Sequence, residues 1–269
     1  MEDVNHLGDK RQTDGIEKLD YADRVIRDGF AAIPHPGFFV STEIDMTRCA
    51  ELIQQLRDKG VRITYTHIFI RAVALVLSKH PDLHMLLKGT RRLLPAHVDI
   101  GLSVQGDTVV APVMVIANAE SKTLQELADE VIKRTPETLA EDIKRRSNMQ
   151  RLGIIIPFGF MRRLLIRRML NRPQDVRKAV GTFQISTLKQ VDLFVPFLIT
   201  ANAVLGVGRV RDRVLVIDGK QEIRPTAIVS CCADHKAWDD ARAAKFMTGL
   251  NDLLQSDELK SDCKSILKD

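Results

Sequence analysis

Aromatic residues make up only 5% of this 269-residue chain, with one tryptophan and two tyrosines. Proteins that hold single-stranded nucleic acid interleave such rings with Lys and Arg along a groove, so the scarcity argues against a nucleic-acid partner. Cysteine is sparse too. Cys49, Cys231, Cys232 and Cys263 show no C-x-x-C spacing, and the adjacent pair lies in a strand-like run whose neighbours face opposite ways. That pattern excludes a zinc site and fits a reducing cytoplasm. Long apolar runs are missing as well. The longest charge-free stretch, Leu193 to Gly208, is broken by Pro196, Thr200 and Asn202 and falls short of the roughly 20 residues a membrane helix needs. The N-terminal MEDVNHLGDKRQTDG has no apolar region of the signal-peptide kind. Repeats and low-complexity tracts are absent.

What remains is an ample supply of core. Hydrophobic residues form 45% of the chain, enough for one large domain or two small ones. The net charge of +5 is unevenly placed. Residues 144 to 178 hold eleven Lys and Arg against Asp175 alone, which gives +10; the other 29 basic and 34 acidic residues leave −5.

Hydrophobic periodicity predicts alternating helices and strands. Residues 1–20 read as a flexible arm, and Tyr21 to Phe30 as a helix broken by the two prolines of IPHPG. FFVSTEIDM alternates like a strand, with Thr47 predicted to cap a helix that closes at Gly60. THIFIRAVALVLSKH reads as a helix stopped by Pro81. Val98, Ile100, Leu102 and Val104 share one strand face, with a turn at Gly106-Asp107 and a partner in TVVAPVMVI. Thr123 and Glu126 form a T-x-x-E capping box. GTFQIST follows as a strand, then a hairpin turning at Asp218-Gly219. A final helix over 239–255 is predicted to bury Ala241, Ala244, Met247, Leu250 and Leu254. One mixed α/β domain, residues 21–269, is the simplest account.

One short stretch carries chemistry: CADHKAWDD, in which His235 stands four residues before Asp239. With 7 His and 24 Asp in the chain, chance supplies roughly 0.6 such pairs, and the sequence has one. By itself the pair reads more readily as a loop histidine, with Asp239 or Asp240 capping the last helix. Context alters this. The histidine follows an apolar strand and precedes an amphipathic helix, and GTFQIS lies about fifty residues upstream.

This order resembles the catalytic domain of the dihydrolipoamide acyltransferases of 2-oxoacid dehydrogenase complexes, whose signatures are D-H-R-x-x-D-G and G-T-F-T-I-S-N-L-G. HVDIGLSVQGDTVVAPVM resembles the strand pair I-G-I-A-V-x-x-x-x-G-L-V-V-P-V of that family, and PGFFVSTEIDM is similar to a run in chloramphenicol acetyltransferase. The likeness covers residues 21 to 255 apart from the basic segment. It implies a chloramphenicol acetyltransferase-like α/β fold, a two-layer mixed sheet with helices, assembling as a homotrimer. It implies His235 as general base on the acceptor's thiol or hydroxyl. An imidazole ordinarily titrates at about 6.5, so it can take a proton and return it near neutral pH. Ser186 falls where the family places a hydroxyl that donates to the tetrahedral oxyanion, facing the histidine of a neighbouring subunit. Asp239 is implied as a structural partner of an arginine early in the domain, at Arg24 by the chloramphenicol acetyltransferase spacing, with Arg27 as its rival.

The departures are Lys236 for the motif's Arg, Asp240 for its Gly, T-L-K for N-L-G after the serine, and ITANAVLG where P-P-E is usual. The basic segment, about 144–178, reads as an insert whose MRRLLIRRML forms a helix. That helix packs on the core, guides an anionic partner such as CoA phosphates, or contacts an anionic membrane. No lysine occupies a lipoyl-attachment turn, so no lipoyl group is expected on this chain, and none of the family's accessory domains fits into residues 1–20. The expected activity is transfer of an acyl group, acetyl above all, from acyl-CoA as co-substrate to a hydroxyl or thiol of a small molecule or acyl carrier protein, without a metal. The alternatives are dihydrolipoamide acyltransfer to a lipoyl domain in trans, and a non-catalytic scaffold or CoA-binding partner.

Overall fold

The computed structural model describes residues 15–18, 37–105, 111–155, 168, 171–198 and 200–267. The strands are β1 (Gly15–Lys18), β2 (Gly37–Asp45), β3 (Leu86–Lys88), β4 (Arg91–Leu94), β5 (Ile100–Ser103), β6 (Val113–Ile116), β7 (Phe183–Thr187), β8 (Ala203–Val207), β9 (Arg211–Ile217) and β10 (Lys220–Asp234). The helices are α1 (Thr47–Asp58), α2 (Tyr65–Lys79), α3 (Leu124–Ile155), α4 (Pro173–Val180), α5 (Asp240–Leu254), α6 (Glu258–Asp262) and α7 (Lys264–Leu267).

The main sheet runs β2-β10-β8-β7-β5-β6, with β9 also on β10. Two of its pairings, β5 with β7 and β7 with β8, are parallel, and the rest are antiparallel. The sheet is therefore mixed, as expected. A small sheet, β1-β4-β3, lies apart from it. Here the structure corrects one expectation: Gly15–Lys18, assigned to the flexible arm, pairs antiparallel with Arg91–Leu94. Backbone pairing holds it, helped by Glu17 with Arg92 at 3.3 Å, and neither contact has a local sequence signature.

Local chemistry explains the elements. Gly60, at φ +80°, closes α1: its N–H reaches Arg57 C=O, and Val61 N–H reaches Leu56 C=O, both at 2.9 Å. Thr47 is the first helical residue and not the cap; its N–H and hydroxyl both donate to the Asp45 carboxylate. Thr123 and Glu126 form the expected capping box, with Thr123 N–H on the Glu126 carboxylate at 2.8 Å and Glu126 N–H on Thr123 Oγ1 at 3.3 Å. From there α3 continues through Pro136 to Ile155, so the head of the basic segment prolongs that helix. The predicted helix at 161–170 lies outside the described residues apart from Arg168, as do the predicted helix at 21–30 and the Gly106-Asp107 turn. Asp218 (φ 50°) and Gly219 (φ 77°) form the two-residue β9–β10 turn.

The main core lies between one face of this sheet and α1, α2, the start of α3 and α5. Val98, Ile100, Leu102 and Val104 are all buried in it, as their alternation predicts. In α5 the buried stripe is Ala243, Phe246, Met247, Leu250, Leu253 and Leu254, whereas Ala241 and Ala244 are exposed. The helix turns to bury the larger Phe246 side chain, which removes far more apolar area from water than an alanine does. The fully buried strand β8 is covered on its other side by residues 192–196. A Cβ on Gly206 would sit 2.5 Å from Pro196 Cδ, and Ser230 Oγ donates to Phe194 C=O at 2.7 Å.

Candidate active site

His235 follows the last residue of β10 and stands at the tip of a tight turn. Asp234 builds the turn: its C=O accepts from Ala237 N–H at 2.8 Å and Trp238 N–H at 2.9 Å, and its carboxylate accepts from Lys236 N–H at 3.1 Å. The far side of the turn is anchored by Trp238, only 1% exposed, with ring centroids 6.1 Å from Phe183 and 5.6 Å from Phe246. The imidazole is half-buried and lies against the Phe38 ring at 5.0 Å, tilted 52°. Phe38 comes from β2, whose Gly37 pairs with Asp234. Thus a strand end, a buried indole and a phenyl ring fix the histidine, and no long loop is involved.

Asp239 caps α5. Its carboxylate accepts from Arg242 N–H at 2.7 Å and pairs with the Arg242 guanidinium at 3.1 Å, with 52% of the side chain exposed. Arg24, its expected partner, and Arg27 lie outside the described residues. Asp240, the departure from the family glycine, is the exposed first residue of α5, where an acid favours the helix dipole.

The GTF of GTFQIS is architectural. Gly181, at φ +76°, lies so close to β5 that a Cβ would fall 2.4 Å from Asp99 O. Thr182 N–H donates to that same carbonyl at 2.7 Å, while Asp99 N–H donates to Thr182 Oγ1 at 3.1 Å. The Asp99 carboxylate, nearly buried, pairs with Arg177 of α4 at 2.6 Å. Phe183 then packs on Trp238. Together these contacts set the start of β7, and Ser186 follows three residues later, half-buried.

Register fixes where the serine stands relative to the histidine. Ser186 pairs with Gly206, and Gly206 pairs with Ser230. His235 is five residues beyond Ser230, which at about 3.3 Å per residue puts it roughly 16 Å farther along the sheet. Within one chain the two groups are not brought together.

Sequence reasoning missed a clamp behind the histidine. Leu87 N–H donates to Asn202 Oδ1 at 3.0 Å, the Asn202 amide donates back to Leu87 C=O at 3.4 Å, and Asn202 C=O accepts from Asp234 N–H at 2.8 Å. Asn202 is 1% exposed, and through it β3 is fastened to the His235 turn. Lys88, next along β3, is half-buried. Burial pushes its pKa down, Asp234 opposes the shift and Lys236 adds to it. A polar residue inside the apolar run Leu193 to Gly208 was the only hint of the clamp. Among the described residues no cluster of His, Cys, Asp and Glu is arranged to hold a metal, and no helix is long and apolar enough to cross a membrane.

A mixed sheet with a histidine at a strand-to-helix turn and GTF-anchored serine strand nearby defines the chloramphenicol acetyltransferase-like class. A chloramphenicol acetyltransferase superimposes with a TM-score of 0.55 at 11% identity, over 90% of this chain and all of that one. Within the class, the family of 2-oxoacid dehydrogenases acyltransferase (catalytic domain) matches residues 30–156 and 163–260, and the chain belongs to that family. The dihydrolipoyllysine-residue acetyltransferase component of the Corynebacterium glutamicum pyruvate dehydrogenase complex is 26% identical over 82% of this chain and 30% of its own length. The corresponding component of the Bacillus subtilis acetoin cleaving system is 27% identical over 80% of this chain and 48% of its own. The chain thus spans less than half the length of these curated relatives. Among solved structures, the Azotobacter vinelandii dihydrolipoamide acetyltransferase superimposes with a TM-score of 0.63 at 23% identity, covering 91% of both chains.

Proposed function

We propose that this chain catalyses acyl transfer between coenzyme A and the thiol of a dihydrolipoyl group carried on a lipoyl domain. The carrying observation is His235 held at the end of β10 by Asp234, Trp238 and Phe38, within a chain belonging to the acyltransferase family. The relatives' names support a dihydrolipoyl acceptor over the other hydroxyls and thiols that the sequence leaves open, so the reading expected second is the better supported.

In this reading His235 removes the proton from the attacking thiol, and the thiolate adds to the thioester carbonyl. Ser186 of the partner subunit donates its hydroxyl hydrogen to the resulting oxyanion. Collapse breaks the original C–S bond, and the departing thiolate takes the proton back from the imidazole. A homotrimer supplies the second subunit, since Ser186 of the same chain lies far along the sheet. For the Azotobacter protein, work on catalysis has centred on a serine, a histidine and an asparagine four positions after that histidine.

The test measures free thiol released from acetyl-CoA with dihydrolipoamide as acceptor. Wild type is expected to turn over and His235→Ala to fall by at least about 10²-fold, since a positioned acid-base group contributes about 10²- to 10⁴-fold. Equal rates would overturn the mechanism.

A further inference from the structure

Gln184 stands two residues before Ser186 on β7, and no step of the acyl transfer uses it. It is only 8% exposed, yet its side chain makes no hydrogen bond with any described residue. Neither amide atom is wholly sealed, so the carboxamide reaches solvent at its tip. A buried amide left unpaired is unfavourable, and a ligand that offers both an acceptor and a donor relieves that. Register fixes the face it points to. Gln184 lies opposite Gly101 of β5 and Val204 of β8, and Ile185, between the two polar residues, enters the main core. Gln184 and Ser186 therefore share the other face of the sheet, with Cα atoms roughly 7 Å apart at about 3.3 Å per residue. Both neighbouring strands are covered there. A Cβ on Gly101 would collide with Val180 C=O at the end of α4, and Gly206, opposite Ser186, lies under Pro196. The two side chains thus occupy the strip between α4 and residues 192–196. In the signature G-T-F-T-I-S this position is a threonine, so the longer reach is a departure of this chain.

Resting on the acyltransferase reading, we infer that the Gln184 carboxamide binds the pantetheine arm of coenzyme A, exchanging hydrogen bonds with the amide nearest the sulfur. Ser186 marks the place of the reacting carbonyl, since its hydroxyl donates to the oxyanion. A side chain on the same face two residues away meets whatever lies a few bonds from that carbonyl. Coenzyme A carries an amide three bonds from its sulfur, with the N–H and C=O that a carboxamide can satisfy together. In the dihydrolipoyl group the amide carbonyl is six bonds from the nearer sulfur, and an acetyl group has no polar atom beyond the carbonyl itself.

Acetyl-CoA and an analogue whose amide nearest the sulfur is replaced by two methylene groups differ only at the proposed contact, so their kcat/KM ratio reads it. In wild type, with dihydrolipoamide as acceptor, acetyl-CoA is expected to be preferred at least about tenfold, because a site built to hydrogen-bond a substrate group rejects the analogue lacking it. Gln184→Leu keeps the bulk and removes the hydrogen bonds, and it should cut that ratio about tenfold. If Gln184→Leu does not fold by circular dichroism, Gln184→Met is read in the same way. A wild type that turns over the two thioesters equally, or a ratio unmoved by loss of the carboxamide, overturns the inference. Dihydrolipoamide and octane-1,3-dithiol, the same dithiol without its amide, separate the other source: if Gln184→Leu levels their ratio and leaves that of the thioesters unchanged, Gln184 reads the acceptor and the inference fails. Turnover of acetyl-CoA that depends on His235 keeps the acyltransferase reading in each of these cases. A wild type silent with both thioesters would overturn that reading, and this inference with it.

Discussion

Ser186 and His235 belong to strands two apart in one sheet, yet the histidine lies five residues beyond the serine's register, roughly 16 Å along the strands. No side-chain rotation closes such a gap. If the serine stabilises the oxyanion that the histidine helps to form, the two must come from different subunits.

That requirement predicts complementation. Ser186→Ala and His235→Ala proteins, each nearly inactive, should regain about a quarter of wild-type turnover after denaturation and refolding of an equal mixture, because random assortment in a closed ring pairs an intact histidine with an intact serine at about one interface in four. Thiol release before and after mixing is the measurement. A mixture no more active than its components would place both groups in one chain or remove Ser186 from catalysis.

Asp239 offers a test of what holds the histidine's turn. As the cap of α5, paired with Arg242 and half-exposed, it should tolerate Asp239→Asn with little change in urea midpoint, because asparagine caps as well as aspartate. Asp239→Ala should lose about 1 kcal/mol. A loss of about 3 to 5 kcal/mol on Asp239→Asn would instead reveal a buried ion pair, with Arg24 as the implied partner.

Trp238 is the chain's one tryptophan, buried three residues from His235. Its fluorescence should be blue-shifted in the native protein and move to the red in urea, in step with circular dichroism. Trp238→Ala should cost about 3 to 5 kcal/mol through the cavity left between Phe183 and Phe246. Trp238→Phe should recover much of that stability. If the red shift precedes the loss of helix signal, the turn opens independently of the core.

These cases show which parts of the site were legible in the sequence. The histidine, the GTF strand and the Asp218-Gly219 turn announce themselves because their chemistry is local: a turn needs positive φ, and a strand alternates. The clamp from Leu87 through Asn202 to Asp234 joins residues 115 positions apart, and no spacing rule reaches across that distance. The face of α5 was misjudged by its alanines, which fit a core or a surface equally well; Phe246 meeting Trp238 set the helix's rotation. Gly15–Lys18 formed a strand through backbone pairing that its four residues do not advertise.

His67 supplies a pH dependence whose sign follows from burial. Only 4% exposed, it accepts Thr64 N–H at Nδ1 in the capping box of α2, and burial, aided by Lys189, pushes its pKa down to about 4. The unfolded chain takes up that proton near pH 6.5, so the folded state's advantage is fully present above that value and is lost as pH falls towards about 4, an effect of ~3 kcal/mol. His67→Gln keeps an acceptor in the capping box and removes the titration. Urea midpoints compared at about pH 7.5 and about pH 4 should therefore fall further for wild type than for His67→Gln. Parallel losses would mean that the imidazole is as easily protonated in the fold as outside it, and that α2 does not bury it as tightly as its packing against the core requires.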